Sequence, residues 1–131
     1  MAKQFSYRGK SIDELKKLEN AEFINLLPSR QRRKLARGFT AEQKKLLKRI
    51  ELVLNGKSKK QIKTHCRDMI ILPKMIDLTI HIHSGNRFAQ VLILPQMIGN
   101  YLGEYSLTRS KVAHSAPGVG ATRSSAAASV K

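Results

Sequence analysis

The side chains that could do acid–base, nucleophilic or metal chemistry are His65, Cys66, His81, His83 and His114. Imidazole titrates near neutral pH, so a small RNA-processing enzyme would use these histidines as general acid and base. No set of partner residues converges on them along the sequence, and no CxxC or HxxxH pair is present to begin a tetrahedral metal site. The sequence therefore predicts no catalytic residue, no metal and no cofactor, and such an enzyme stays an alternative reading.

Basic side chains offer a second kind of chemistry, the neutralisation of phosphate. The 131 residues include 25 Lys and Arg against 9 Asp and Glu, a net charge of +16. Residues 28–67 hold fourteen of these cations and two acids. That density exceeds what solubility needs, and self-repulsion destabilises the compact state unless phosphates neutralise it. We therefore expect a nucleic-acid partner. Composition does not separate RNA from DNA, so an architectural DNA-binding protein is a further alternative.

A membrane partner is disfavoured by the apolar pattern. The longest apolar runs are four residues, far short of the ~20 that a membrane span needs. The basic amphipathic helix predicted at 40–55 has no aromatic residue to anchor it at a lipid surface. A single cysteine cannot form an internal disulfide, and nothing suggests an oxidising compartment. We expect a soluble, cytoplasmic protein.

Capping patterns predict the helices of the N-terminal region. Ser11-Ile12-Asp13-Glu14 is a capping box that opens a short helix ending near residue 18, and Asn20 is a candidate cap for a second helix that Pro28 closes. Ser29 is the candidate cap of a basic turn. Thr40-Ala41-Glu42-Gln43 opens the clearest helix, 40–55, which carries Lys44, Lys45 and Lys48 away from its apolar stripe. Residues 57–67 continue the basic track as a loop.

Alternation and turn residues predict the strands of the apolar region that follows. Met69 to Leu72 reads as a short buried strand. Residues 78–83 alternate apolar and polar positions, which places His81 and His83 on the outer face of a strand, where they are available to stack on a base or touch phosphate. Ser84-Gly85-Asn86 is a hairpin turn before a return strand at 88–94. Pro95 begins a predicted final helix at 96–104.

These elements divide the chain into three regions. Residues 1–67 form a helical, strongly basic N-terminal region, 68–108 form an α+β core, and 109–131 form a basic, flexible C-terminal extension. The last of these contains few large apolar groups, so it buries too little surface to offset the entropy of ordering.

Motifs in the apolar region resemble a known family. Ser84-Gly85-Asn86, Ile93 and Ile98-Gly99-x-x-Leu102-Gly103-Glu104-Tyr105-x-x-Thr108 are similar to the pattern of the small-subunit ribosomal protein nineteen family, called protein fifteen in eukaryotes. The segments 65–73 and 117–125 resemble its archaeal and eukaryotic branch. The chain departs from the pattern at Asp77, where the family commonly has glycine.

The resemblance implies a fold, a function and partners. The fold is α+β, with N-terminal helices, a small three-stranded mixed sheet with a packed helix, and a flexible C-terminal tail. The function is that of a structural, non-enzymatic constituent of the small ribosomal subunit, which binds the 3′ major (head) domain of small-subunit rRNA near the tRNA sites. Its neighbours would include ribosomal protein thirteen, tRNA and the large subunit at the intersubunit bridge, with no small-molecule substrate.

Charge and resemblance together predict the RNA-binding residues. By resemblance, Gly99 and Gly103 allow close approach to RNA or to the sheet, Thr108 and Arg109 begin the RNA-facing tail, and Arg123 belongs to an extension toward the decoding region. The full predicted set is Arg30, Arg32, Arg33, Lys34, Arg37, Lys44, Lys45, Lys48, Lys57, Lys59, Lys60, Lys63, Arg67, His81, His83, Arg87, Gly99, Gly103, Thr108, Arg109, Lys111 and Arg123.

Overall fold

Four short helices precede a three-stranded sheet in the computed structural model, which describes residues 5–113. The predicted α+β class is confirmed. Most of the predicted C-terminal extension, with His114 and Arg123, lies outside the described residues. The elements in chain order are β1 (Ser6–Tyr7), β2 (Lys10–Ser11), α1 (Ile12–Lys17), α2 (Asn20–Leu26), α3 (Ser29–Ala36), α4 (Ala41–Leu54), β3 (Ile62–Thr64), β4 (Thr79–His83) and β5 (Phe88–Leu92).

Both capping boxes form as predicted. The Ser11 hydroxyl accepts from the Glu14 amide at 3.4 Å, and the Ser11 amide donates to the Glu14 carboxylate at 2.9 Å. Thr40 and Gln43 repeat this exchange at the start of α4, at 3.4 and 3.1 Å. Each box satisfies two amides that the first helical turn leaves without a partner, so local sequence sets where these helices begin.

The starts predicted from single polar residues are wrong by one position. Asn20 and Ser29 are the first residues of α2 and α3, and Glu19 and Pro28 take the cap positions without a side-chain cap hydrogen bond. Only two residues separate α1 from α2, and two separate α2 from α3. The short link between two helices therefore sets where the second helix starts. As a result, Asn20 and Ser29 lie within their helices and do not take the cap position.

The sheet is mixed, with strand order β3-β4-β5. β4 and β5 are antiparallel, and the predicted turn closes them through the Ser84 amide, which donates to the Arg87 carbonyl at 2.8 Å. β3 runs parallel to β4, with Ile62 opposite Ile80. The predicted loop at 57–67 is thus wrong at residues 62–64, which form β3. Ile62 and Thr64 are buried on either side of the exposed Lys63, a period-2 pattern hidden within the lysine-rich track.

Two further predictions are wrong for a shared reason. Residues 69–72 form no regular strand, and residues 96–104 form two 3₁₀ turns, Pro95–Met97 and Leu102–Tyr105, instead of one helix. Between those turns the extended chain pairs with the buried segment: the Ile71 amide donates to the Asn100 carbonyl at 2.9 Å, and the Leu102 amide donates to the Met69 carbonyl at 2.9 Å. Gly99 has a φ of 83°, which a right-handed helix does not accept.

One apolar core joins the helices to the sheet. Leu15, Phe23, Leu27, Leu46 and Ile50 pack from the helices. Met69, Ile70, Ile71, Ile80, Ile82, Ile93 and Leu102 pack from the apolar region. The core therefore draws on residues 1–67 and 68–108 alike, and the division between these regions stays a prediction. Within residues 5–113, no helix has the length and apolar character that crossing a membrane requires.

Asp77 adopts a left-handed backbone conformation of the kind that glycine most readily takes. Its φ is 65°, and its amide donates to the Ile93 carbonyl at 3.0 Å, just before β4. Aspartate tolerates this left-handed region better than most residues, but glycine enters it without strain.

We predict that D77G is more stable than D77A by about 1 kcal/mol, because alanine is strained at positive φ. Urea unfolding of the two variants measures the difference. The same pair of substitutions at Lys74, an exposed residue outside the left-handed region, should show the opposite order, since glycine there only adds entropy to the unfolded chain. Equal stabilities of D77G and D77A would contradict the prediction.

Candidate nucleic-acid interface

Three cations of α3 and Arg37 at its C-terminal cap line one wall of an open groove of about 790 Å³. Arg30, Arg33, Lys34 and Arg37 are spaced three, four and seven residues from the first, which places them on one face of the helix. Leu35 turns to the core on the opposite side. The remaining lining residues are Gly38, Thr40, Gln43, Asp68 and Tyr101.

Asp68 is the acid within this groove. Its carboxylate accepts from the Lys34 ammonium at 2.8 Å and from the buried Gln43 amide at 2.9 Å, and Lys34 also donates to the Asp68 carbonyl. The Lys34 nitrogen lies 5.1 Å from the centre of the Tyr101 ring. The hydrogen bond from Lys34 lowers the pKa of the Asp68 carboxyl below its ordinary value of 3.8, and the charge of Lys34 acts in the same direction against the effect of burial.

The other cations of the groove have no acidic partner in the described part of the chain. Lys34 and Asp68 form the one ion pair among residues 5–113. Arg30, Arg33 and Arg37 are exposed and make no side-chain hydrogen bond there, whereas Arg32 donates to the Leu27 carbonyl at 3.1 Å. Three guanidinium groups are thus available to phosphate, which their planar donor arrangement suits.

A second basic surface surrounds α4 and the start of the sheet. Lys45, Arg49 and Lys63 line a groove of about 240 Å³, and Arg49 donates to the Lys63 carbonyl at 3.4 Å. Lys57 and Lys60 line the adjoining groove of about 560 Å³. The remaining predicted cations here, Lys44, Lys48 and Lys59, are exposed. The two grooves share Arg49 and Lys63 and therefore adjoin, and Glu42 is the one acid among their lining residues.

Arg67 is used inside the protein. Its guanidinium donates to the carbonyls of His83 at 2.6 Å, of Gly103 at 2.9 Å and of Ser106. These acceptors lie at the end of β4 and in the last 3₁₀ turn, so one side chain ties two distant segments together. Charge alone does not show which guanidinium finds carbonyl partners, and contact of Arg67 with RNA stays a prediction.

Gly99 and Gly103 allow other parts of the protein to approach the backbone at these two positions. A Cβ at Gly99 would lie 2.9 Å from Cδ2 of Leu27 and 3.0 Å from the Tyr7 hydroxyl oxygen. A Cβ at Gly103 would lie 3.0 Å from the Arg67 carbonyl oxygen. Both glycines therefore have a packing reason to be where they are, and their contact with RNA stays a prediction.

The remaining predicted residues lie around the sheet. His81 and His83 are half-buried on the outer face of β4, as expected from the alternation. Arg87 and Thr108 line a groove of about 470 Å³ beside the hairpin turn. Arg109 and Lys111 are exposed.

Two residues of the outer face were missed by the prediction. The ring of His65 lies 4.4 Å from that of His83, and the ring of Phe88 lies 5.1 Å from that of His83. The alternation of residues along β5 was sufficient to place Phe88 on the outer face. The position of His65 depends on β3, which the sequence did not predict. Among the described residues, no three His, Cys, Asp or Glu side chains are grouped so as to hold a metal ion.

Comparison with known proteins decides the family. The family model described as Ribosomal protein S19 matches residues 33–114. Small ribosomal subunit protein uS19 of Saccharolobus solfataricus is 53% identical over 124 residues, which are 94% of this chain and 89% of that protein. The chain belongs to the ribosomal protein S19 family. The archaeal relative also confirms the predicted archaeal and eukaryotic branch.

Family membership decides between the functions left open by the sequence. The chain is a structural constituent of the small ribosomal subunit, with its place in cytoplasmic ribosomes, and is not an enzyme. The histidines therefore need no catalytic explanation, and the alternatives of an RNA-processing enzyme and an architectural DNA-binding protein are not supported.

We predict that Arg67→Lys lowers the free energy of unfolding by about 2 kcal/mol, because an ammonium group cannot span the three carbonyls that the guanidinium reaches. Urea unfolding measures the loss. Arg33→Lys is the matched control and should change stability by less than about 0.5 kcal/mol, since Arg33 is exposed and makes no hydrogen bond through its side chain. Equal stabilities of the two variants would show that water replaces the Arg67 contacts.

The Lys34–Asp68 pair predicts a dependence of stability on pH. The pKa of Asp68 is lower in the folded than in the unfolded chain, so the pair stabilises the fold above about pH 4 and this contribution is lost as the pH falls through the folded pKa. Asp68→Asn should cost less than about 1 kcal/mol at pH 7 because the Asp68 side chain is 60% exposed, and the cost should be smaller at about pH 3, where the unfolded chain is largely protonated. A cost that stays constant between these pH values, measured by urea unfolding, would contradict this.

Proposed function

We propose that this chain binds the 3′ major (head) domain of small-subunit rRNA through phosphate neutralisation and shape. The observation that carries the proposal is the wall of exposed guanidinium groups on α3, Arg30, Arg33 and Arg37, which lack acidic partners among residues 5–113. A ribosomal protein is surrounded by RNA, and the phosphates of that RNA are the anions that would pair with these guanidinium groups.

Recognition of RNA shape would depend on the fixed position of the helix that carries these cations. α3 and α4 meet at Asp68, which binds Lys34 of one helix and Gln43 of the other. The spacing of positive charge along the groove is therefore set before RNA arrives. A fixed arrangement of cations favours one fold of the phosphate backbone over others, whereas a mobile one binds any polyanion.

The finer placement rests on the resemblance to the family. We infer a position near the tRNA sites, beside ribosomal protein thirteen, with the intersubunit bridge close by. The extension 109–131 would add Arg109, Lys111 and Arg123 to the RNA contact. The exposure of Arg109 and Lys111 supports this part of the inference.

We predict that the triple variant R30Q/R33Q/R37Q binds a 3′-domain rRNA fragment with a weaker salt dependence. Loss of three phosphate contacts should reduce the slope of log K against log[salt] by about 2 to 3, because each contact releases roughly one counterion. Filter binding or fluorescence anisotropy across a salt series measures the slope. Circular dichroism checks the fold, which exposed side chains without hydrogen bonds should not affect.

The matched control removes the same charge elsewhere. Lys16, Lys17 and Lys74 are exposed around a different groove, at the end of α1. K16Q/K17Q/K74Q should leave the slope within about 1 of the wild-type value. Equal losses in both variants would mean that net charge alone acts, and equal affinity of the wild type for 3′-domain and 5′-domain fragments would contradict the head-domain placement.

A further inference from the structure

The outer face of the sheet carries a cluster of three rings that lies outside the basic groove of α3. The register of β4 and β5 places His83 opposite Phe88, and His65 directly follows β3 on the other side of β4. The rings of His65 and His83 lie 4.4 Å apart with 31° between their planes. Phe88 meets both edge-on, at 5.2 and 5.1 Å. We call His65, His83 and Phe88 the ring cluster.

The ring cluster is not part of the core. The inner face of the same strands is buried through Ile80, Ile82 and Val91, whereas none of the three rings belongs to the apolar core that residues 5–113 form. His65 is exposed, and Phe88 keeps 37% of its surface exposed. A phenyl ring held at the surface stabilises the fold less than one in the core, so packing does not account for this arrangement.

The cluster is held in place before any ligand binds. The Gly85 amide donates to Nδ1 of His83 at 3.3 Å, which restrains that ring at the hairpin turn. The two neighbouring rings then pack against a fixed partner. Side chains on paired strands are positioned more rigidly than side chains on a loop, so little conformational entropy is lost when a ligand stacks on them.

Charge on this face favours an anionic ligand with a flat apolar part. The Lys63 ammonium lies 5.7 Å from the centre of the Phe88 ring. None of the three strands contains an acidic residue. An ammonium beside aromatic rings matches the phosphate and the base of one nucleotide, and stacking on rings needs a base that is not already stacked in a helix.

We propose that the ring cluster is a stacking platform for an unpaired nucleobase of RNA, with Lys63 binding the adjoining phosphate. The proposal rests on the proposed function, since it assumes that RNA is the partner, but it adds a second contact of different chemistry. The basic groove of α3 binds backbone phosphates, whereas the ring cluster binds a base in a loop or bulge.

The test is binding of a short single-stranded RNA that contains 2-aminopurine, whose fluorescence is quenched on stacking. F88A should weaken binding of this RNA about tenfold and abolish the quenching, while F88Y, which keeps a ring, should behave as the wild type. Leu92→Ala is the matched control, because Leu92 lies on the same face of β5, is 52% exposed and has no ring. L92A should bind and quench as the wild type does.

The outcomes separate this proposal from the proposed function. Unchanged binding and quenching in F88A would overturn the stacking platform, whatever the result for the 3′-domain fragment. A wild type that shows no preference for that fragment, but still quenches 2-aminopurine through Phe88, would overturn the head-domain placement alone. If F88A keeps its RNA binding but loses binding to a neighbouring ribosomal protein, the face is a protein interface and the proposal is wrong.

Discussion

The junction at Arg67 and Asp68 joins the basic helices to the sheet. The positions of the α3 groove and of the ring cluster depend on this junction. Arg67 reaches the carbonyls of His83, Gly103 and Ser106, which fixes the end of β4 against the last 3₁₀ turn. Asp68 points the other way and binds Lys34 and Gln43, which fixes α3 and α4. Two consecutive residues with opposite charge thus make contacts on opposite sides of the backbone.

The backbone around this junction supports the same connection. The Gly103 amide donates to the Arg67 carbonyl at 2.8 Å, and the pairing continues through Met69 and Ile71. These bonds satisfy polar groups beside a segment whose side chains, from Met69 to Ile71, are fully buried. A small protein with this much surface charge needs such contacts, since its core has to withstand the repulsion among cations that face the same solvent.

The α3 groove and the ring cluster, as proposed, would divide the chemistry of RNA recognition between them. Guanidinium groups on a rigid helix respond to the spacing of phosphates, and their contribution falls as salt rises. A ring cluster responds to an available base, because stacking requires a base whose face is free. A structural protein that uses both can bind strongly through charge and still distinguish one RNA fold from another, without any catalytic group.

Local patterns determined much of the fold. The capping boxes at Ser11 and Thr40, the alternation at 78–83 and the turn at Ser84 all form as the sequence predicts, because their hydrogen bonds join residues close in sequence. The concentration of cations in 28–67 and the family pattern around Gly99 and Gly103 likewise needed no coordinates. They were sufficient to predict a ribosomal protein with an α+β fold.

Only the tertiary structure decided the features that depend on distant partners. Ile62 to Thr64 is a strand because β4 lies beside it, and residues 96–104 are not a helix because they pair with residues 67–71, some 30 positions earlier. Arg67 and Arg33 look alike in sequence, yet the first donates to carbonyls of residues 83, 103 and 106, whereas the second is exposed and makes no side-chain hydrogen bond within residues 5–113. Residue type and spacing determine what a side chain can do, whereas long-range contacts decide which of these possibilities the folded chain uses.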